Sequence, residues 1–302
     1  MGVAGSVRDP EFFPSVRWIG ARAIRLDAPW SQFERQPGIY AAPDWVERTV
    51  DGALQHDLEP VLILAYGNPL YSADKPATPE QRQAFARYAT WVVEHYRGRV
   101  KYFDLWNEWD AHTGRTTPGT PEQYVALAKV VYPAVKRANP DVIVLSGGIS
   151  DWALKRDWYD RFLAAGGLQF VDGLSIHPYN WNWRDDRSPT AAMKLVDEVH
   201  RKAVKARGGP VDLYITEMGY PTHEGRFGLS EDEAACRLTV FFGMAMQRPF
   251  IRGVWWYTIR DGGHNALSKE HRFGLFSHDV TQAKPPAQAF RKLSAAADHF
   301  RL

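Results

Sequence analysis

Short apolar runs rich in β-branched residues alternate along this chain with longer segments of helical periodicity. The predicted strands are residues 2–6, 21–27, 60–66, 100–108, 142–148, 171–179, 211–217 and 251–259. The predicted helices lie near residues 9–20, 43–56, 78–97, 120–138, 152–165, 189–207, 230–247 and 283–299. Such strand–helix repeats within 302 residues favour an α/β fold, a single (β/α)8 TIM barrel that spans residues 1–302 as one catalytic domain.

Capping residues support these boundaries. Residues 78–80 and 120–122 both read Thr-Pro-Glu, which is typical of a helix start. A doubly wound open sheet is the alternative fold. That alternative is less favoured because no glycine-rich phosphate loop follows the first predicted strand.

Charge and composition narrow the classes of partner. The chain has 37 basic and 35 acidic residues, a formal net charge of +2, and the basic residues are scattered. We therefore expect no nucleic-acid partner, and no apolar run reaches the ~18 residues of a membrane span.

One cysteine, Cys236, excludes an internal disulfide. The first residues do not resemble a signal peptide, so a periplasmic or secreted location requires a removed leader, with the cytoplasm as the alternative. The oligomeric state stays open.

The aromatic content points to a class of ligand. The chain contains 12 Trp, 13 Tyr and 15 Phe. Several tryptophans lie in polar, loop-like stretches, namely Trp30, Trp106, Trp109, Trp181 and Trp183. A buried indole N–H needs a partner, whereas an aromatic face in a polar loop suits a flat, weakly amphipathic ligand such as a sugar ring.

Polar and aromatic residues gather where the predicted strands end. In a barrel of this kind the chemistry lies at the C-terminal ends of the strands. The residues predicted there are Arg25, Asp27, Tyr66, Asn68, Asn107, Glu108, His177, Tyr179, Glu217, Trp255, Trp256 and Tyr257. The opposite ends of the strands lack this density of polar groups.

Two of these residues are glutamates that end the fourth and seventh predicted strands. In a closed barrel Glu108 and Glu217 face each other across the lumen, as glycoside hydrolysis requires. The alternative is that each glutamate caps a following loop. No HExxH pattern and no pair of histidines four residues apart on one helix is present, so we expect neither a metal nor a cofactor.

Two segments carry a resemblance to a known group of enzymes. The stretches "LWNE" (105–108) and "ITEMGYP" (215–221) resemble the two signatures of clan A of the glycoside hydrolases, which are retaining enzymes built on (β/α)8 barrels. The nearest likeness is to glycoside hydrolase family 39 and related bacterial exopolysaccharide hydrolases. Further segments agree in order, namely 24–40, 63–71, 175–179, 255–263 and 273–290.

The resemblance implies a role for individual residues. Glu108 corresponds to the general acid/base, Glu217 to the nucleophile, and Asn107 to the residue that binds the sugar 2-hydroxyl. Arg25 and Tyr179 are the candidate donors that keep Glu217 ionised. The residues expected to contact the substrate are Arg25, Trp30, Asn68, Trp106, Asn107, His177, Tyr179, Trp181, Trp183, Trp255, Trp256 and Tyr257. Alternation along the eighth strand leaves open whether Trp256 or the pair Trp255 and Tyr257 faces inward.

The predicted function is therefore hydrolysis of a polysaccharide or oligosaccharide by a retaining β-glycosidase. The reading we favour is endo action on a bacterial exopolysaccharide. Exo-acting β-xylosidase-like activity and transglycosylation are the alternatives within the enzyme class. A non-catalytic carbohydrate-binding barrel is the alternative from a different class.

Overall fold

The computed structural model describes residues 1–5 and 12–297. Its strands are β1 (Gly2–Ala4), β2 (Ala23–Pro29), β3 (Glu34–Gln36), β4 (Ile39–Tyr40), β5 (Glu59–Ala65), β6 (Tyr102–Leu105), β7 (Ile143–Leu145), β8 (Ile149–Ser150), β9 (Leu174–His177), β10 (Leu213–Met218) and β11 (Ile251–Tyr257). Its helices are α1 (Phe13–Trp18), α2 (Trp30–Phe33), α3 (Asp44–Gln55), α4 (Pro79–His95), α5 (Pro121–Ala138), α6 (Asp151–Leu154), α7 (Asp157–Ala164), α8 (Pro189–Arg207), α9 (Glu231–Met246) and α10 (Pro285–Ala297). Two short 3₁₀ helices cover Gly167–Phe170 and Lys269–His271.

Nine of the strands form one curled parallel sheet in the order β7-β6-β5-β2-β1-β11-β10-β9-β8. The remaining two, β3 and β4, form a small antiparallel hairpin. The α/β class and the parallel sheet wrapped by helices confirm the coarse prediction. The sheet has nine strands rather than eight because the predicted fifth strand is interrupted. Gly147 and Gly148, with φ of +80° and +56°, separate β7 from β8.

The two faces of the curled sheet carry different cores. Alternate strand residues such as Ile24, Leu62 and Ile215 pack in the main core beneath the helices. Their chain neighbours on the other face form a second, smaller buried cluster of Ala4, Ala23, Val61, Leu145, Tyr214 and Trp255. Because both faces are covered, the strands read as nearly continuous apolar runs.

The predicted helix starts are reproduced in detail. Thr78, Thr120 and Ser230 are N-caps whose hydroxyls accept the backbone N–H three residues later, and each forms a reciprocal capping box. The predicted helix at 152–165 is split into α6 and α7. The predicted elements 2–6, 9–20 and 283–299 extend into residues outside the described ranges. Within those ranges, none of the helices is long and apolar enough to cross a membrane.

Candidate active site

A cavity of about 540 Å³ opens at the carboxyl end of the sheet. Strands β2, β6, β9, β10 and β11 deliver side chains to this end, as the sequence predicts for a fold of this class. The predicted site residues that line the cavity are Arg25, Asn107, Glu108, Tyr179, Trp181, Glu217 and Tyr257. His177 lies immediately behind them and is fully buried.

Glu217, near the end of β10, is surrounded by donors. Arg25 Nη1 donates to its Oε1 at 2.6 Å, and the Tyr179 hydroxyl donates to its Oε2 at 3.0 Å. The same guanidinium binds Asp104 Oδ2 through Nε and Nη2, at 3.0 and 2.8 Å. Burial opposes the charge of Arg25, but the carboxylates of Asp104 and Glu217 outweigh it and raise its pKa. A fully charged guanidinium therefore faces Glu217.

Glu108 enters the cavity from an unusual turn after β6. Trp106 and Glu108 both have positive φ, 75° and 49°, a region that residues other than glycine seldom occupy. The turn is held by two bonds, from the Glu108 N–H to the Gly147 carbonyl at 2.8 Å and from Thr113 Oγ1 to the Asn107 carbonyl at 2.6 Å. Backbone strain of this kind concentrates at functional sites. Here it turns the carboxyl group of Glu108 out of the strand and into the cavity.

The environment of Glu108 favours its protonated form. Burial, with smaller contributions from the charges of Asp151 and Glu270, raises the pKa of Glu108 to about 7. Its Oε1 lies 3.0 Å from Nδ1 of His177. Burial lowers the pKa of His177 to about 4, so this imidazole is neutral near pH 7. Glu108 thus faces a neutral ring, whereas Glu217 faces a cation.

The two carboxylates are close together. One oxygen of each carboxylate and one nitrogen of His177 lie within 4.8 Å of one another. Three potential ligand atoms with this spacing could hold a metal ion. Among the described residues, this trio is the group found to have the number and spacing of ligands that a metal site needs. A metal there would occupy the carboxylate oxygens that acid–base and nucleophilic chemistry need.

Asn107 is fixed on both sides of its amide. Its Oδ1 accepts a hydrogen bond from Arg25 Nη2 at 2.9 Å, and its Nδ2 donates to the Tyr66 hydroxyl at 3.3 Å. The side chain is buried to 8% exposure and lines the cavity. One N–H of the amide remains for a ligand, so the orientation of this donor is set before anything binds.

The eighth predicted strand, β11, presents Trp255 and Tyr257 on its inner face. Tyr257 lines the cavity, whereas Trp255 lies deeper in the inner cluster. Trp256 points to the helices, and its N–H donates to the Phe273 carbonyl at 3.1 Å. Of the three aromatic residues, Tyr257 lines the cavity and Trp255 and Trp256 do not, so contact of the latter two with a substrate stays a prediction.

Three further predicted contacts lie in the core instead of the cavity. Trp30 is fully buried, donates to Glu34 Oε2 at 2.6 Å and stacks on Tyr71. Asn68 donates to the Glu34 carbonyl at 2.8 Å and accepts from a neighbouring backbone N–H. Trp106 is also fully buried, with its ring against Tyr66. These residues pack the loops that support the site and do not line the cavity, so their contact with a substrate stays a prediction.

The two tryptophans that follow β9 have different positions. Trp181 lines the cavity, and Lys269 Nζ lies 4.8 Å from the centre of its ring. The N–H of Trp183 donates to Asp151 Oδ2 at 2.9 Å, and Lys155 Nζ lies 3.9 Å from its ring centre. Trp183 therefore supports a cavity-lining carboxylate rather than lining the cavity itself.

Sequence reasoning missed several residues that line the cavity. These are Trp45, Asp151, Lys269, Glu270 and Phe273. They come from the first turns of α3 and α6, from the 3₁₀ helix Lys269–His271 and from a loop, where no strand alternation marks a side chain as inward-facing. Alternation along β11 indicates that Tyr257 can face inward. The segment after β11, which carries Lys269, Glu270 and Phe273, has no such alternation to indicate which side chains face the cavity.

The fold of this chain matches those of several solved structures. A family 39 glycoside hydrolase from Bacteroides cellulosilyticus WH2 matches with a TM-score of 0.84 and 25% identity, over 98% of this chain and 63% of that one. The chain resembles clan A glycoside hydrolases. A glucosidase from Croceicoccus marinus (TM-score 0.74, 18% identity, 97% and 66% covered) and a β-xylosidase from Caulobacter crescentus CB15 (0.74, 16%, 98% and 67%) share the fold.

This finding confirms the resemblance predicted from the sequence. The chain spans about two thirds or less of the length of the first two of these structures. No protein-family model matches the chain, and no curated protein matches it at a significant level.

Proposed function

We propose that this chain is a retaining β-glycosidase in which Glu108 is the general acid/base and Glu217 is the nucleophile. The observation that carries the proposal is the distance of at most 4.8 Å between carboxylate oxygens of the two residues. Retaining enzymes hold their two carboxyl groups about 5–5.5 Å apart, whereas inverting enzymes need roughly 6.5–9.5 Å to admit a water molecule.

In the first step Glu217 attacks the anomeric carbon of the bound sugar. Arg25 and Tyr179 hold this carboxylate in position by binding one oxygen each. Glu108, whose pKa burial raises to about 7, transfers its proton to the glycosidic oxygen as the bond between that oxygen and the anomeric carbon breaks. The product of this step is a glycosyl ester of Glu217.

In the second step Glu108 acts as a base. It removes a proton from a water molecule, whose oxygen attacks the anomeric carbon as the ester bond to Glu217 breaks. Two inversions at one carbon give net retention, and both glutamates return to their starting protonation states. The free N–H of Asn107 binds the sugar 2-hydroxyl, an interaction that strengthens in the transition state.

The substrate we propose is a polysaccharide, cleaved internally, of the bacterial exopolysaccharide type. Trp181 supports this choice, since it extends the aromatic lining of the cavity beyond the catalytic pair. Exo action is the alternative and is favoured by the likeness to a structure named a β-xylosidase. Transglycosylation would follow if a sugar hydroxyl replaced water in the second step. A carbohydrate-binding barrel without activity fits poorly, because Glu217 accepts bonds from two donors whereas burial raises the pKa of Glu108, the contrast that an acid and a nucleophile need.

Product stereochemistry tests the proposal directly. Purified protein is screened on aryl β-glycosides and on bacterial and plant polysaccharides. The first product of a cleaved substrate is then followed by ¹H NMR before mutarotation. The β anomer is expected first. Initial release of the α anomer would contradict the retaining mechanism, and no turnover on any substrate would favour the binding-only alternative.

We also infer that β7 and β8 act as one interrupted strand, which closes the sheet as an eight-stranded barrel forming a single domain. They are separated by residues 146–148, and they pair with β6 and β9 respectively. An isolated parallel bridge between Leu145 and Gly173 adds a contact across the same gap.

A further inference from the structure

Beneath the two catalytic glutamates, buried side chains form a continuous hydrogen-bonded chain from Asp104 to Glu108. Ser175 Oγ donates to Asp104 Oδ2 at 3.2 Å and lies 2.6 Å from Thr216 Oγ1. Thr216 Oγ1 lies 3.0 Å from Nε2 of His177, whose Nδ1 lies 3.0 Å from Glu108 Oε1. Ser175, Thr216 and His177 are all fully buried, so water does not compete for these bonds.

The direction of the bonds is set at the Asp104 end. Asp104 is ion-paired with Arg25 and therefore acts as an acceptor. Ser175 has one hydroxyl proton, and it donates this proton in the hydrogen bond to Asp104. The Ser175 oxygen also accepts a hydrogen bond from the Gly148 N–H at 3.0 Å. The contact of 2.6 Å between the two hydroxyl groups then requires Thr216 to be the donor.

The direction of the Thr216 hydrogen bond determines which nitrogen of His177 carries the hydrogen. Because the hydroxyl proton of Thr216 points to Ser175, a lone pair of Thr216 faces Nε2 of His177. Nε2 must then carry the hydrogen, which leaves Nδ1 of a neutral ring as an acceptor. The atom opposite Nδ1 is Glu108 Oε1, so Glu108 must supply the hydrogen of that bond.

We propose that Ser175 and Thr216 are positioning residues that hold His177 in the Nε2–H tautomer, and that His177 thereby keeps Glu108 as a proton donor. This inference rests on the proposed function, because it explains how the acid is kept ready. The opposite tautomer would donate from Nδ1 to Glu108 and would stabilise the carboxylate anion, which cannot protonate a leaving group.

Other charged groups face the ring as well. Glu217 Oε2 lies 3.7 Å from Nδ1, and both Glu217 and Asp104 favour an imidazolium ion. Burial and the charge of Arg25 oppose that ion and prevail, which lowers the pKa of His177 to about 4. The ring is therefore neutral at the pH where the proposed reaction takes place, and its tautomer decides which partner donates.

The tautomer is observable by ¹⁵N NMR on histidine-labelled protein at pH 7, without any substrate. The wild type is expected to show a protonated Nε2 and a bare Nδ1 for His177, and Thr216→Val, which removes the hydroxyl, should populate the Nδ1–H form. Thr216→Ser keeps a hydroxyl and should restore the wild-type pattern. A wild-type ring protonated at Nδ1, or a tautomer unaffected by Thr216→Val, would overturn the proposal.

The pH profile supplies the second readout. For Thr216→Val, the alkaline limb of kcat/KM is expected to move down by about one pH unit. Poor leaving groups should lose about tenfold or more, and activated aryl glycosides less than threefold. A limb that stays in place, or an equal loss on both substrates, would indicate a merely structural role and would overturn the proposal.

Two further variants separate the possible failures. Thr49→Val removes a fully buried hydroxyl that donates to a helix carbonyl, and it should leave the tautomer of His177 unchanged. If Thr216→Val does not fold, Ser175→Ala removes the acceptor of the Thr216 proton and should also populate the Nδ1–H tautomer. The NMR result does not depend on turnover, so an inactive wild type would contradict the proposed function while the tautomer still tests this inference.

Discussion

At the scale of single residues, Glu108 and Glu217 differ in their neighbours rather than in their chemistry. Glu217 accepts bonds from the Arg25 guanidinium and the Tyr179 hydroxyl. Glu108 is held beside the neutral ring of His177, and burial raises its pKa to about 7. Two hydrogen-bond donors favour the charged form of a carboxyl group, and desolvation favours the neutral form, so the same residue type can supply the proposed nucleophile and the proposed acid.

Removing each glutamate should therefore have a different effect. Glu217→Ala is expected to lower kcat by at least about 10³-fold on every substrate, because no other group can form the ester. Added azide should restore turnover and yield a glycosyl azide of inverted configuration. Product analysis by ¹H NMR measures this outcome.

Glu108→Ala is the matched counterpart. It should spare activated aryl glycosides, which need little protonation, and azide should then give an azide of retained configuration. Exchanged outcomes for the two variants would mean that the roles are reversed.

The raised pKa of Glu108 also has a consequence for stability. Below pH 4.5 the residue is protonated in both the folded and the unfolded chain, so its stabilising contribution is complete. Between pH 4.5 and about 7 the unfolded chain releases the proton first, and that contribution is lost. Glu108→Gln stays neutral, so its free energy of unfolding should gain on the order of 2 kcal/mol over wild type between pH 4.5 and 8.

Denaturant unfolding at both pH values measures this gain. Glu94→Gln, on an exposed position of α4, is the control and should show no such pH-dependent difference. A constant difference between Glu108→Gln and wild type would contradict the raised pKa.

Sequence reasoning worked best at this scale where a residue ends a strand. Glu108 and Glu217 lie at the carboxyl end of the sheet because strand ends meet there in any parallel α/β sheet. Arg25 is the third residue of β2, and its side chain reaches the same cavity. Residues such as Trp30 and Asn68 lie outside the cavity for a physical reason. Their polar atoms are satisfied inside the protein, by Glu34 among others, and sequence does not show where a buried N–H finds its partner.

At the scale of elements, the break between β7 and β8 links the sheet to the proposed acid. Gly147 donates its N–H to Asp104 Oδ1 at 2.6 Å, and its carbonyl accepts the Glu108 N–H at 2.8 Å. Its φ is +80°, and a Cβ there would lie 2.2 Å from the Leu105 carbonyl oxygen. Only glycine fits both the conformation and the space.

Gly147→Ala should therefore lower both stability and activity. Gly98 has a similar φ of +77° but no atom within 4 Å of its added Cβ, so Gly98→Ala isolates the cost of backbone strain, about 1 kcal/mol. Gly147→Ala is expected to cost roughly 1–3 kcal/mol more and to reduce kcat, since the turn that presents Glu108 must shift. Equal unfolding energies for the two variants would show that the close contact is relieved at no cost.

The segment after β9 gives a prediction about substrate length. Trp181 lines the cavity, whereas Trp183 binds Asp151. Trp181→Ala should weaken binding of long substrates by about 1–2 kcal/mol, a rise of roughly 5–30-fold in KM, and should leave short aryl glycosides nearly unaffected. Comparison of KM on a polysaccharide and on an aryl glycoside measures the effect.

Trp18→Ala provides the control for loss of a tryptophan. Trp18 is 36% exposed on α1 and does not line the cavity, so KM should change for neither substrate. Equal losses on long and short substrates with Trp181→Ala would indicate a closed, exo-acting pocket and would contradict endo action.

Elements with regular periodicity were predictable and irregular ones were not. The capping boxes of α4, α5 and α9 follow from local sequence, because a cap is a contact between residues three positions apart. The β3–β4 hairpin is local, since it pairs residues at most six positions apart around Gly38, yet it is too short to show alternation. The split of the fifth predicted strand depends on tertiary contacts. The same holds for the loop carrying Lys269 and Glu270, which reaches the cavity only because the sheet curls.

At the scale of the whole molecule, charge is distributed unevenly. The chain carries a formal charge of +2, yet acidic side chains outnumber basic ones among the described residues that line the cavity. These acidic residues are Asp27, Asp151, Glu217, Glu270 and Glu108, the last of which is only partly ionised near pH 7, and the basic ones are Arg25 and Lys269. Because Arg25 is bound to Asp104 and Glu217, the cavity presents a negative potential to an incoming polymer.

This potential predicts discrimination against acidic polysaccharides. At low ionic strength kcat/KM for a neutral polymer should exceed that for a polyuronide by about tenfold, and salt should narrow the gap because it screens the repulsion. Glu270→Gln should improve activity on the polyuronide and leave activity on the neutral polymer nearly unchanged. A preference insensitive to salt would mean that shape, not charge, excludes the acidic polymer.

Arg25 binds residues that are far apart in the chain. Its guanidinium joins β2 to Asp104 and Asn107 on one side and to Glu217 on the other, 192 positions away. A polypeptide divided at Gly208, an exposed position after α8, would leave Glu108 and Glu217 on separate fragments. Neither fragment could turn over a chromogenic glycoside alone, so colour would appear only after reassembly. The two pieces could therefore serve as a complementation reporter, fused to partners whose association is to be measured.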